Sequence, residues 1–197
     1  GKLASPKDLQ MATGSFIGHA RGFGFVTPEE GGDDVFIPAS ETMGAMQKDR
    51  VLYKVLHKAE KGKKADGVIV KILERGMHKI VGTFEASNKG FGFVVADDKK
   101  ISKDIFIPKS YTKGAVSGHK VVVEIIDYGE ERRNPEGKVV EILGHVNDPG
   151  VDILSVIRRY ELAVEFPEEV YKEIEHLETE VKEEDKNYVI NLLDTYG

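Results

Sequence analysis

The sequence predicts a mainly β protein, built as two tandem five-stranded barrels followed by a partly helical segment. Three observations carry that prediction. Five short β-rich runs divided by turn residues fill 15–75, and five matching runs recur in the same order over 79–145. Gly22-Phe23-Gly24-Phe25-Val26 returns as Gly90-Phe91-Gly92-Phe93-Val94. Beyond residue 145 the alternation gives way to helical spacing and an acidic composition.

The first fourteen residues are a mixed polar lead with Pro6, expected to be a poorly ordered arm. Phe16-Ile17-Gly18-His19 then leads through Ala20-Arg21 into the first phenylalanine strand. Thr27 to Asp33 is a dense turn signal, and Asp34-Val35-Phe36-Ile37-Pro38 is a short strand closed by proline. Val51 to Leu56 forms the next strand, Lys58 to Lys64 a basic loop, and Gly67 to Leu73 the fifth strand. Five such strands make a small closed sheet.

The second unit begins near Gly82 and continues through Phe91-Gly92-Phe93-Val94 and Asp104-Ile105-Phe106-Ile107-Pro108. Val121 to Ile126 and Gly137 to Leu143 close it. The offset between units is 68 at the phenylalanine strand and 70 at the aspartate strand and the closing glycine. One two-residue insertion in the intervening turn explains the change, so the units are copies of one domain.

The segment 146–197 differs. Asn147-Asp148-Pro149-Gly150 is a turn or linker, and Asp152 to Val164 is apolar without clean alternation, which leaves its element open. Pro167-Glu168-Glu169 predicts a helix start, followed by Val170, Ile174, Leu177 and Val181 at helical spacing. A second short helix would carry Val189, Leu192 and Leu193. The apolar content is too small for independent folding, so this segment is expected to be the truncated start of a further domain.

Charge divides along the same lines. The net charge of −6 is almost wholly that of 146–197, which carries −9, while 15–75 and 79–145 are each +1. The repeats therefore tolerate a polyanion without demanding one. The chain lacks cysteine, which excludes disulfides and thiolate zinc sites and fits a reducing cytoplasm. No apolar run approaches the roughly 20 residues of a membrane-spanning helix, so no membrane partner is expected.

Period-two alternation puts Phe23 and Phe25 on one face of their strand. Phe36 stands between Val35 and Ile37, which alternation sends to the core, so it joins that outer face. Phe91, Phe93 and Phe106 repeat the arrangement. Each unit then carries a three-ring platform on which unpaired bases stack, and Arg21 and Lys89 precede the glycines to meet phosphates. The neighbouring glycines point to a close approach to the backbone.

At these residues a resemblance emerges. Arg21-Gly22-Phe23-Gly24-Phe25-Val26 and Lys89-Gly90-Phe91-Gly92-Phe93-Val94 resemble the first RNA-binding motif of bacterial cold-shock domains. Val35-Phe36-Ile37-Pro38 and Ile105-Phe106-Ile107-Pro108 are similar to the second, with proline where single-domain members often have histidine. The first-strand tryptophan common in those domains is missing; Phe84, at the matching distance, could substitute in the second unit, with only His19 nearby in the first. The resemblance implies OB-type barrels.

The order of motifs narrows this to the bacterial ribonuclease R family of RNB-type exoribonucleases, which the chain resembles from about Ser15 onward. Val139-Val140-Glu141-Ile142-Leu143-Gly144 is similar to the end of its second cold-shock domain, and Val151-Asp152-Ile153 through Phe166-Pro167-Glu168-Glu169 to the start of its catalytic domain. The resemblance implies a processive, hydrolytic 3′-to-5′ exoribonuclease using magnesium held by clustered aspartates. That cluster is missing here, so the chain is expected to bind single-stranded or structured RNA without cutting it. The remainder of the parent catalytic domain would be its other partner. No catalytic residue, metal ligand or cofactor is assigned within the chain.

Other chemistry is not indicated. His19, His57, His78, His119, His145 and His176 lack metal-ligand spacing, and there is neither a nucleophile-elbow serine nor a phosphate-binding glycine loop. Lys58, Lys61, Lys63 and Lys64 form the densest basic loop, either a loose phosphate contact or a solvated turn. Two rival functions stand beside the main one: a free-standing tandem cold-shock RNA chaperone, and a barrel pair whose outer rings dock a protein.

Overall fold

A computed structural model describes residues 11–60, 62–129 and 133–163. The first barrel contains β1 (Met11–Gly18), β2 (Gly24–Pro28), β3 (Val35–Ile37), β4 (Arg50–His57) and β5 (Asp66–Glu74). The second contains β6 (Lys79–Ala86), β7 (Gly92–Ala96), β8 (Ile105–Ile107), β9 (His119–Asp127) and β10 (Glu136–His145). The helix α1 (Val151–Ala163) follows. Each sheet closes: β1-β2-β3-β5-β4 in one and β10-β8-β7-β6-β9 in the other. A single parallel pairing joins the third strand to the fifth in each barrel, through Phe36 opposite Asp66 and Phe106 opposite Glu136. The five-run pattern predicts the closed sheets, and their OB arrangement is the one the cold-shock resemblance implies.

Alternation sorts the side chains as expected. Val26, Val35, Ile37, Val51, Tyr53 and Ile69 fill the first barrel with Phe16. Ile80, Val94, Ile105, Ile107, Val121, Val123 and Val139 fill the second with Phe84. Both phenylalanines lie over a glycine on the neighbouring strand. A Cβ on Gly24 would fall against the ring of Phe16, and one on Gly92 against the ring of Phe84. The close approach implied by those glycines is therefore made by the core ring, from inside the barrel.

Two boundaries differ from the sequence expectation. β1 starts at Met11, inside the stretch expected to be a loose arm, because Met11 to Ser15 pair with β4 and Gly14 to Gly18 with β2. Those pairings are long-range, and no local pattern announces them. Beyond the second barrel, α1 belongs with it, as the first compact unit runs to Leu162. Val151 is buried against Gly144, and Arg158 bridges to Glu141 of β10 with Nη2 to Oε1 at 2.9 Å. Ile153, Val156, Ile157 and Tyr160 are exposed, which explains why the segment shows no clean pattern. The helices predicted after Pro167 lie outside the described residues. No helix among the described residues is long and apolar enough to cross a membrane.

The barrels are joined by a polar contact. Asp49, fully buried before β4, accepts N–H bonds from Met46 and Gly76, each at 2.9 Å, and one from Arg75 Nη1 at 2.7 Å. Arg75 and Gly76 belong to the connection between the barrels. The Arg75 guanidinium also lies over the ring of Tyr128, 4.2 Å from its centroid, just after β9. The Tyr128 hydroxyl donates to Met77 O at 2.6 Å, and burial raises its pKa above the usual phenol value. Met46 of the first barrel packs on the core of the second.

Removing Arg75 would leave Asp49 buried with only backbone donors. Arg75→Ala is expected to destabilise the chain by about 3 kcal/mol, the low end for a broken buried pair because two N–H groups remain. Urea unfolding checks this; a loss below about 1 kcal/mol would mean the pair is energetically idle.

A second prediction concerns acid. Glu29 in the β2–β3 turn is held down to about 2 from the ordinary 4.5, first by its hydrogen bond from Arg50 and then by that from Thr13. A depressed carboxylate stabilises the fold above its unfolded pKa and loses that contribution as pH falls toward the folded one. The melting-temperature gap between wild type and Glu29→Gln should be full at neutral pH and close between pH 4.5 and about 2. A gap independent of pH would contradict this.

Candidate nucleic-acid interface

Each barrel presents three rings outward, and the strand register explains how. Phe25 lies directly opposite Phe36 across β2 and β3, and Phe93 opposite Phe106 across β7 and β8. Their neighbours Val26, Val35 and Ile37, and Val94, Ile105 and Ile107, take the inward positions. Phe23 and Phe91 complete each set at the end of the turn before β2 and β7. All six rings are partly exposed.

The two platforms have nearly the same geometry. In the first, ring centroids are 6.0 Å apart for Phe23–Phe25, 5.5 Å for Phe23–Phe36 and 5.7 Å for Phe25–Phe36. The second gives 5.8 Å for Phe91–Phe93, 5.5 Å for Phe91–Phe106 and 5.6 Å for Phe93–Phe106. Such tilted and edge-on contacts suit the aromatic quadrupole and fix the rings against one another.

The turns that deliver the rings are also alike. The His19 N–H donates to Phe23 O at 2.9 Å and the Gly22 N–H to His19 O at 2.8 Å. Ser87 and Gly90 make the same two bonds, at 2.8 Å to Phe91 O and 3.0 Å to Ser87 O. Gly22 and Gly90 both sit at φ +87°, where a side chain is strained. Arg21 and Lys89 are exposed on these turns, next to the rings.

His19 joins the first platform. Its ring lies flat on Phe23, with centroids 4.1 Å apart and planes 12° apart, and its Nδ1 accepts the Arg21 N–H at 3.2 Å. From the basic loop, Lys64 reaches the same platform, with Nζ 5.0 Å from the centre of the Phe25 ring. Lys58 and Lys63 are exposed, and Lys61 is outside the described residues.

Phe84 requires a correction. It is a core residue, 1% exposed, and cannot offer a stacking face. On β6 it shares its side with the buried Ile80 and Gly82 and lies opposite Val94. Phe16 is its counterpart, opposite Val26. The outward positions that follow on these strands are Glu85 and Ile17, so neither strand carries an outward aromatic in place of the missing tryptophan.

Two features escape the sequence reading. The Lys109 side chain lies over the Gly90 turn, its Cδ at 3.0 Å from where a Cβ on Gly90 would stand. The repeat places Ala39 there in the first barrel, so nothing in the pattern singled Lys109 out. A cavity of about 350 Å³ also opens between the barrels, lined by His19 and Phe23 on one side and Lys100, Ser102, Lys103 and Tyr128 on the other. Its walls come from two sets of residues more than fifty positions apart. Among the described residues, no group of three or more His, Asp or Glu side chains is placed to hold a metal ion.

Comparison with known proteins gives this geometry a family. The Ribonuclease B OB domain family matches residues 14–72 and the cold shock domain family residues 93–167. Ribonuclease R of Vibrio parahaemolyticus is 39% identical over 186 residues, covering 93% of this chain and 22% of that protein. Over nearly its whole length the chain is similar to ribonuclease R. Ribonuclease R of Escherichia coli is 34% identical over 97% of the chain and 23% of its own length. The chain thus spans less than a quarter of the length of these ribonuclease R relatives. Among solved structures, Mycoplasma genitalium RNase R in complex with ribose-methylated single-stranded RNA superposes with a TM-score of 0.66 at 21% identity. That likeness covers 87% of this chain and 27% of that one and shows a shared fold. Yeast Ssd1, a pseudonuclease, shares it at a TM-score of 0.64, with 17% identity over 78% of this chain and 25% of its own.

The two kinds of phenylalanine should separate by experiment. Phe84→Ala is expected to cost about 3–5 kcal/mol of stability, as for other buried aromatics. Phe93→Ala should cost about 1 kcal/mol, the value of its ring contacts. Equal losses in chemical unfolding would overturn this assignment of faces.

Proposed function

We propose that the two barrels bind single-stranded RNA with little sequence preference, on behalf of a hydrolytic, processive 3′-to-5′ exoribonuclease. The observation that carries this reading is the paired platform: three outward rings in the same geometry on two barrels, with Arg21, Lys64 and Lys89 at the first and second platforms' edges. Every base has a π-face, so stacking holds a strand without selecting its sequence. Exposed cations attract the backbone, and their effect is reduced by salt. Structured RNA would bind through its unpaired ends and loops.

Cutting is assigned elsewhere in the parent enzyme. The sequence has no run of clustered aspartates of the kind the resemblance implies for magnesium, and among the described residues no group of three or more His, Asp or Glu side chains is placed to hold a metal ion. The barrels would capture the strand and guide it to the catalytic centre, in the cytoplasm.

Titration of a labelled oligoribonucleotide tests this. Alanine at Phe23, Phe25, Phe91 and Phe93 should weaken binding by ~1–3 kcal/mol for each base that loses its ring. The chain with magnesium added should bind the oligonucleotide and leave it intact. Unchanged affinity in the fourfold variant would sink the proposal.

A further inference from the structure

The platforms share their ring geometry and differ in what stands next to it. The offset of 68 puts Ser87 where the first barrel has His19, within turns that make the same backbone bonds. The offset of 70 puts Asn134 where the first barrel has Lys64. We propose that the first barrel is the tighter RNA site, because His19 extends its stack to a fourth ring and receives a base on its outer face. This rests on the reading that the platforms bind RNA, and it names which platform dominates and through which residue.

The geometry of His19 fits that role. One face covers Phe23 at 4.1 Å in a nearly parallel stack, and the side chain is otherwise exposed. An aromatic ring stacked on another and open on its far side continues the surface available to bases. Because Nδ1 accepts the Arg21 N–H, the neutral ring carries its hydrogen on Nε2, where it can donate to a base or phosphate oxygen. The backbone bond also fixes the ring's position before RNA arrives, so little ordering cost falls on binding.

The surroundings favour the same barrel. His19 lines the inter-barrel cavity together with Lys100 and Lys103. A nucleotide stacked on His19 would have these cations within reach of its phosphates. Lys64 over Phe25 adds a charge directly at the ring face. The second platform has Lys109 beside Gly90 instead, a charge at the turn that adds no stacking surface.

The test uses the whole chain, a fluorescein-labelled oligouridylate and one fixed salt concentration. His19→Ser, which copies the second barrel, should weaken binding about 5-fold or more, the least that loss of one stacked ring predicts. His19→Phe should bind within about twofold of wild type, since it keeps a ring, and Ser87→His should bind more tightly. Phe23→Ala with Phe25→Ala should cost more than Phe91→Ala with Phe93→Ala. Wild-type affinity in His19→Ser would overturn the proposal, as would a larger loss from the second pair. Tighter binding by His19→Ser would also overturn it, by showing that His19 shields Phe23. If neither phenylalanine pair affects binding, the RNA-binding reading itself fails. If the pairs lose affinity and His19→Ser does not, only this inference falls.

Discussion

A phenyl ring lying on a glycine sets each barrel's outer surface. Phe16 covers Gly24 and Phe84 covers Gly92, so closely that no side chain fits at either glycine. With that side of the strand occupied by the core ring, Phe25 and Phe93 have the opposite side to themselves, paired with Phe36 and Phe106. Glycine weakens a strand, and here the weakness is offset by a buried aromatic that packs into the space it leaves. The outward rings are held in place by what is packed behind them.

The polar joint between the barrels adds a second constraint. Asp49 is buried in the first barrel, Arg75 lies in the connection and Tyr128 follows β9 of the second. Glycine matters here too: a Cβ at Gly76 would overlap the Lys48 carbonyl, and one at Gly18 the Lys100 carbonyl. The barrels touch through backbone as well as side chains. On the proposed reading, two weak platforms fixed in one unit would engage a single strand with a higher effective concentration than two on a loose tether.

The repeat, the ten strands and the six outward rings were legible in the sequence because their signals are local: period-two alternation, turn residues and a fixed offset. The facing of Phe84 was not, since Ile80 and Val81 are adjacent apolar residues and leave the inward side of β6 ambiguous. β1 before Ser15 was hidden because Met11 to Gly14 become a strand only by pairing with β4 and β2. The helix α1 was obscured by Ile153, Val156, Ile157 and Tyr160, apolar residues that the fold leaves exposed. His19 was noticed for its position, but its parallel stack on Phe23 depends on a turn geometry that sequence spacing does not encode. The Asp49–Arg75–Tyr128 contact joins residues far apart in the chain, with no motif between them.

The central claim is that RNA lies across the phenylalanine platforms. Photocrosslinking the chain to an oligonucleotide carrying 5-iodouridine, with the modified residues located by mass spectrometry, tests it most directly. The account predicts crosslinks at His19, Phe23, Phe25 and Phe36 and at Phe91, Phe93 and Phe106. Crosslinks confined to α1, or to the faces of β4 and β9 away from the rings, would contradict it.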